Sequence, residues 1–245
     1  MAVPSRQAKR SPLICIHGAW HGAWCWKYLT PMLETAGIQV IAPDLPGHTG
    51  DVSQMSLENY RQAIEEIIDA QVTPVTLLGH SLAGLTLTEL ANRHPTKIKQ
   101  LIYLAAFIPK DNECLMDCVQ AHNMPKNLAI EIVESQPGKI MRLRPQYAKE
   151  SFYASCSAQD VEFAFSQVCD QAMNTFTTPI HYDLNRIAKI PKSYVLCTED
   201  VAIAAPVQQA MAACVDAQIY KLKADHSPFF SKAPELSGLI EKIMS

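Results

Sequence analysis

A short apolar run, Val75-Thr76-Leu77-Leu78, followed by Gly79-His80-Ser81-Leu82-Ala83-Gly84, restricts this chain more than any other part of it. With Pro74 in front and Gly79 behind, the run predicts a central parallel strand buried on both faces. After Leu82 the spacing turns helical. Leu87, Leu90 and Ala91 share a face, and His94-Pro95 ends the pattern. Ser81 therefore falls on the turn where strand becomes helix, among small residues that let backbone segments approach closely.

The same alternation recurs along the chain. Residues 13–16 and 38–42 predict strands, with a helix between them that starts around Trp24, Trp26 and Leu29 and closes at Gly37. Ser56 is a helix N-cap, Asn59 is a poor stand-in for the acidic or amide residue of a full capping box, and the helix covers residues 57–70. Another buried strand covers residues 101–105. The order β-α-β-α-β-α-β implies a parallel sheet with helices on both faces. From about 107 to 182 the rhythm breaks into short helices without a clear strand. It resumes with strands at 193–197 and 218–222 and a closing helix at about 234–244. At 245 residues this is one α/β domain with an insertion at about 108–182.

Composition narrows the functions. A formal charge of -3 and 18% charged residues give no basic field for a phosphate backbone, which excludes nucleic acid as a partner. Arg6, Lys9 and Arg10 precede an apolar run too short for a signal peptide, and no run is long enough to span a bilayer. The expected location is the cytoplasm. The eight cysteines are scattered through apolar segments and read as reduced thiols, and Cys114 and Cys118 lack the further ligands of a zinc site. No metal or other cofactor is expected.

The motifs His17-Gly18-Ala19, Gly22-Ala23-Trp24, Gly79-His80-Ser81-Leu82, Leu104-Ala105-Ala106-Phe107-Ile108-Pro109, Cys197-Thr198-Glu199-Asp200 and Asp225-His226 together resemble the small α/β-hydrolases. Within them the chain is similar to plant methylesterases and hydroxynitrile lyases and to bacterial carboxylesterases, including pyrethroid-hydrolysing ones. The likeness covers nearly the whole chain and is weakest in the insertion. One departure is Ala83, where the family's G-x-S-x-G turn ends in glycine.

The resemblance implies an α/β-hydrolase fold, with a mostly parallel sheet of about six strands and a helical cap over Ser81; with only residues 1–12 ahead of the first strand, the sheet is expected to lack the N-terminal hairpin of larger relatives. The resemblance also implies Ser81 as nucleophile, His226 as base and Asp200 as the acid that orients it, with Asp111 as the second candidate acid. The amides of Ala19 and Leu82 would form the oxyanion hole. Asp225 reads as a loop residue, His17 as bonded to neighbouring backbone, and His48 as ordering its own loop. Trp20, His21, Phe107 and Phe152 are the pocket candidates, with His21 open between the pocket and a backbone contact. Met116, Met124, Met141, Phe152, Phe163 and Phe165 would supply the pocket wall or, taken singly, the insertion's own core.

Ester hydrolysis on a small hydrophobic substrate is the activity this implies. A hydroxynitrile lyase of the group would carry lysine after the catalytic histidine and threonine at position 18, where this chain has Ser227 and Gly18. A ligand receptor on a hydrolase scaffold would show a damaged triad. The family resemblance is the one pointer to a homodimer.

Overall fold

The structure, a computed structural model, describes residues 10–134 and 139–245; Arg6 and Lys9 lie outside them. Strands β1 (Leu13–Ile16), β2 (Val40–Ile41), β3 (Val75–His80), β4 (Ile98–Leu104), β8 (Lys192–Cys197) and β9 (Gln218–Leu222) form one sheet in the order β2-β1-β3-β4-β8-β9. Every pairing in it is parallel. The central strands β1 and β3 are buried at every position because helices cover both faces, which is why they are continuous apolar runs.

Helices α1 (Leu29–Thr35), α2 (Leu57–Asp69), α3 (Ala83–Arg93), α9 (Ala205–Cys214) and α11 (Ala233–Met244) are those flanking helices. The first is shorter than expected, because Ala23–Trp26 forms a separate 3-10 turn. Asn59 performs better than its residue type suggested. Its side-chain oxygen accepts the Ser56 amide at 3.0 Å while its own amide donates to Ser56 Oγ, completing the capping box of α2.

Between β4 and β8 lie the helices α4 (Leu115–Ala121), α5 (Pro145–Phe152), α6 (Ala158–Gln167) and the single turns α7 (Asn174–Thr177) and α8 (Leu184–Ile187). The expectation of an insertion without strands is corrected here. Strands β5 (Ile130–Glu134), β6 (Lys139–Leu143) and β7 (Gln171–Ala172) form a second, antiparallel sheet of three strands. A last turn, α10 (Pro228–Ser231), precedes α11. In a parallel sheet all the loops that leave C-terminal strand ends emerge on one edge. Those after β1, β3, β8 and β9 carry Ala19, Ser81, Asp200 and His226.

Candidate active site

Ser81 takes φ 54, a left-handed conformation that a side chain adopts only under constraint. The constraint is local. The Ser81 amide donates to Leu104 O at 3.2 Å, and its carbonyl accepts from Gly84 N at 3.1 Å and Phe107 N at 3.0 Å, tying the turn to the end of β4. A Cβ on Gly84 would overlap Phe107 O, and one on Gly79 would overlap the Leu87 side chain. Position 83, by contrast, already carries a buried methyl without obstruction. The glycine that lets α3 cross β4 closely is thus Gly84, one residue beyond the usual place.

The turn aims the serine at His226. Ser81 Oγ lies 3.1 Å from His226 Nε2, and His226 Nδ1 lies 2.7 Å from Asp200 Oδ2. Asp200 is buried, and its carboxylate is filled by donors. Oδ1 accepts the amides of Ala202 and Ile203 at 2.8 and 2.9 Å, and Oδ2 also accepts Gln208 Nε2 at 3.1 Å. Gln208, fully buried on α9, accepts the Cys197 amide and donates to Ile203 O, so it stitches the end of β8 to the acid's own turn. Nothing in the sequence marked it, since a glutamine in a helix has many uses.

The second candidate acid sits elsewhere, and the carboxylate next to Asp200 points away. Asp111 is exposed and accepts the Tyr182 amide at 2.9 Å, while Glu199 faces Lys223 at the surface. Asp225 proves to be more than a loop residue. It is buried; Oδ2 accepts the Ser155 amide at 2.8 Å and Oδ1 accepts Ser231 Oγ at 2.7 Å, joining the loop of His226 to the inserted segment.

The loop after β1 is built on neutral histidines. Leu45 N donates to His17 Nε2 at 3.0 Å, so the ring proton sits on Nδ1, which donates to Gly18 O. His21 Nδ1 donates to Ala19 O at 2.8 Å, and its Nε2 accepts Tyr153 Oη at 2.8 Å. His48 Nδ1 donates to His21 O, with Nε2 on Tyr60 Oη, and His80 Nε2 donates to His226 O at 2.9 Å. Burial holds all four rings uncharged; it pushes His21 and His48 down to about 4 and His17 and His80 well below the ordinary histidine value. His17 bonds neighbouring backbone as expected and also holds the 43–48 loop through Leu45, whereas the His48 ring, expected to order that loop, reaches out of it to His21 and Tyr60.

The amides of Ala19 and Leu82, residues that share one cavity wall with Ser81, have no protein acceptor among the described residues. Trp20, at φ 63, pins the same loop to the inserted segment. Its indole donates to Met141 O at 2.9 Å, its amide donates to Gln171 Oε1, and its carbonyl accepts the Cys169 amide.

Above Ser81 and His226 opens a cavity of about 570 Å³. Trp20, Phe107 and Phe152 line it as expected. His21 does not; its ring is buried behind the loop, stacked on Trp24. Met116, Met124 and Met141 also line the cavity, joined by Met173, so these methionines face a void instead of packing only among themselves. Phe163 and Phe165 are absent from its wall. Phe163 packs edge-on against Trp24 and Phe230, and Phe165 against Tyr153.

Among the described residues no cluster of histidine, cysteine or acidic side chains could hold a metal ion, all eight cysteines are free, and no helix is long and apolar enough to cross a membrane.

The profile of the alpha/beta hydrolase family matches residues 13–237. Methylesterase 7 of Arabidopsis thaliana is 26% identical over 94% of this chain and 95% of its own length. Pyrethroid hydrolase of Sphingobium wenxiniae is 28% identical over 93% of this chain and 85% of its own. A crystal structure of a pyrethroid hydrolase superposes with a TM-score of 0.83 at 27% identity, covering 96% of this chain and 97% of that one. Polyneuridine aldehyde esterase superposes with a TM-score of 0.86 over 96% of this chain and 100% of that one; at 24% identity it speaks for the fold alone.

Proposed function

The chain belongs to the alpha/beta hydrolase family, and from that membership and the geometry around Ser81 we infer that it is a serine esterase that cleaves a small hydrophobic carboxylic ester through an acyl-enzyme. The observation that carries this reading is the continuous line of hydrogen bonds from Ser81 Oγ through His226 to a buried Asp200.

In the proposed reaction His226 Nε2 takes the Ser81 proton as Oγ attacks the ester carbonyl, and Asp200 stabilises the resulting imidazolium. The amides of Ala19 and Leu82 receive the oxyanion, each such donor contributing on the order of 3 kcal/mol in the transition state. His226 then returns the proton to the leaving alcohol. Water, activated by the same ring, releases the acid. Nothing in this sequence of steps calls on a metal or organic cofactor.

The methionine-rich wall supports a hydrophobic acyl or alcohol group, since thioethers adapt to irregular apolar shapes. In this reading residues 108–182 act as a cap on a single domain. The free cysteines favour the cytoplasm. Cyanohydrin cleavage is disfavoured, because the position after His226 is the fully buried Ser227 and a Cβ at position 18 would lie 2.9 Å from Ser81 Cβ.

Hydrolysis of short and medium p-nitrophenyl esters by the purified protein and by Ser81→Ala, with mandelonitrile run alongside, tests the assignment. Loss of ester turnover by about 10³-fold or more in the variant, after a burst of nitrophenol in wild type, is expected. Equal inertness of both folded proteins on every ester would overturn it in favour of a ligand-binding role.

A further inference from the structure

The cavity above Ser81 is apolar along most of its wall, yet Arg144 and Lys126 also line it. Among the described residues neither forms an ion pair. Arg144 is half-buried at the start of α5, the helix that ends in Phe152. One guanidinium nitrogen donates to Leu128 O, and the group lies 5.2 Å above the Tyr147 ring. Its Nε is buried with no partner. A guanidinium nitrogen held from water with nothing to bond is costly, and such a group calls for an explanation.

The one acidic residue in the wall is Glu131. It does not answer the charge. Glu131 sits opposite Arg142 in the β5–β6 pairing, and its field acts on that arginine. Arg142 is itself held by Asp170 through two bonds of 2.8 and 2.7 Å. The cavity wall therefore carries two cationic side chains against one carboxylate that is paired across the strands with Arg142, in a chain whose formal charge is -3. Arg144 Nη1 has no protein partner among the described residues and, unlike Nε, is not shut off from its surroundings, so the planar guanidinium keeps an N–H suited to a carboxylate.

Resting on the esterase reading, we propose that the substrate is an ester that carries a second, free carboxylate at the end remote from the scissile bond, and that Arg144 recognises it, with Lys126 adding to the local field. The apolar wall between Ser81 and Arg144 takes the carbon skeleton. The charge fixes which end of the molecule meets Ser81.

Calorimetric binding to Ser81→Ala, which cannot turn the ligand over, separates this from the activity itself. The probes are monomethyl adipate and monomethyl suberate, against methyl hexanoate and methyl octanoate as uncharged partners of matching length. In at least one pair the acid ester should bind about tenfold or more tightly, and this advantage should shrink with added salt. It should vanish when Arg144→Met is added, be partly kept by Arg144→Lys, and leave the neutral esters changed far less. If neutral and acid esters bind alike at both lengths, or the advantage survives Arg144→Met, the assignment of Arg144 falls. Failure of the Ser81-intact enzyme to hydrolyse any of the four would instead count against the esterase reading.

Discussion

Asp225 and Ser155, 70 positions apart, are joined by a 2.8 Å hydrogen bond from the Ser155 amide to the Asp225 carboxylate. The same carboxylate holds Ser231 and the Ser227 amide. The residue next to the proposed base is thus the point at which the inserted segment is fastened to it. Asp225→Asn turns one acceptor oxygen into a donor facing other donors. We expect a loss of about 1–3 kcal/mol in stability, with faster amide exchange at residues 153–157 and a drop in kcat. Unchanged exchange there would mean that the fastening lies elsewhere.

Gln208 acts on Asp200 at one remove. Gln208→Met removes the 3.1 Å donor to Oδ2 while roughly keeping the side chain's volume. kcat should fall about tenfold with KM little altered, whereas Asp200→Asn should cost about 10³–10⁴ in kcat. Equal losses from the two would argue against this ordering.

The contrast between Gly84 and Ala83 is a test of packing. Gly84→Ala drives a methyl into Phe107 O, backbone that cannot give way, and should cost about 3 kcal/mol or more, read as a fall in the denaturation midpoint. Ala83→Gly should cost about 1 kcal/mol at most, as an ordinary helix glycine does.

Acid sensitivity follows from the neutral histidines. His21 and His48 are pushed by burial from 6.5 to about 4 in the folded chain. Between those values the unfolded chain binds protons that the folded one refuses. Stability is therefore complete above pH 6.5 and is lost as pH falls toward 4, by about 3 kcal/mol per ring at the foot of that window. Calorimetric melting at pH 7.5, 5.5 and 4.5 should show a steep decline. His48→Gln should melt lower at pH 7.5 but decline less steeply; an unchanged slope would assign the acid sensitivity to other groups.

The sheet and the serine turn were legible because strands β1, β3, β4 and β8 are buried and write themselves as apolar runs. The second sheet was not, because β5 alternates only weakly, shows three of its five residues to solvent and fully buries none. Its signal was the β-branched Ile130-Glu131-Ile132-Val133 facing Ile140-Met141 across a short gap. The direction of Met116 and Met124 was hidden for another reason. An apolar side chain carries no mark of whether it faces a neighbour or a void. His21 misled in the opposite sense, because a histidine next to a catalytic loop serves equally well as a peg.

Trp20 gives the loop carrying the Ala19 amide three bonds to the inserted segment, at Met141, Cys169 and Gln171. Any displacement of that segment that widens the entrance pulls on the very strand of atoms that would receive the oxyanion. Breadth of substrate and speed of turnover therefore share one mechanical linkage. A lineage of such enzymes that drifts in its insertion to admit a bulkier ester must retune its rate in the same substitutions, so new specificities should arise first as slow enzymes.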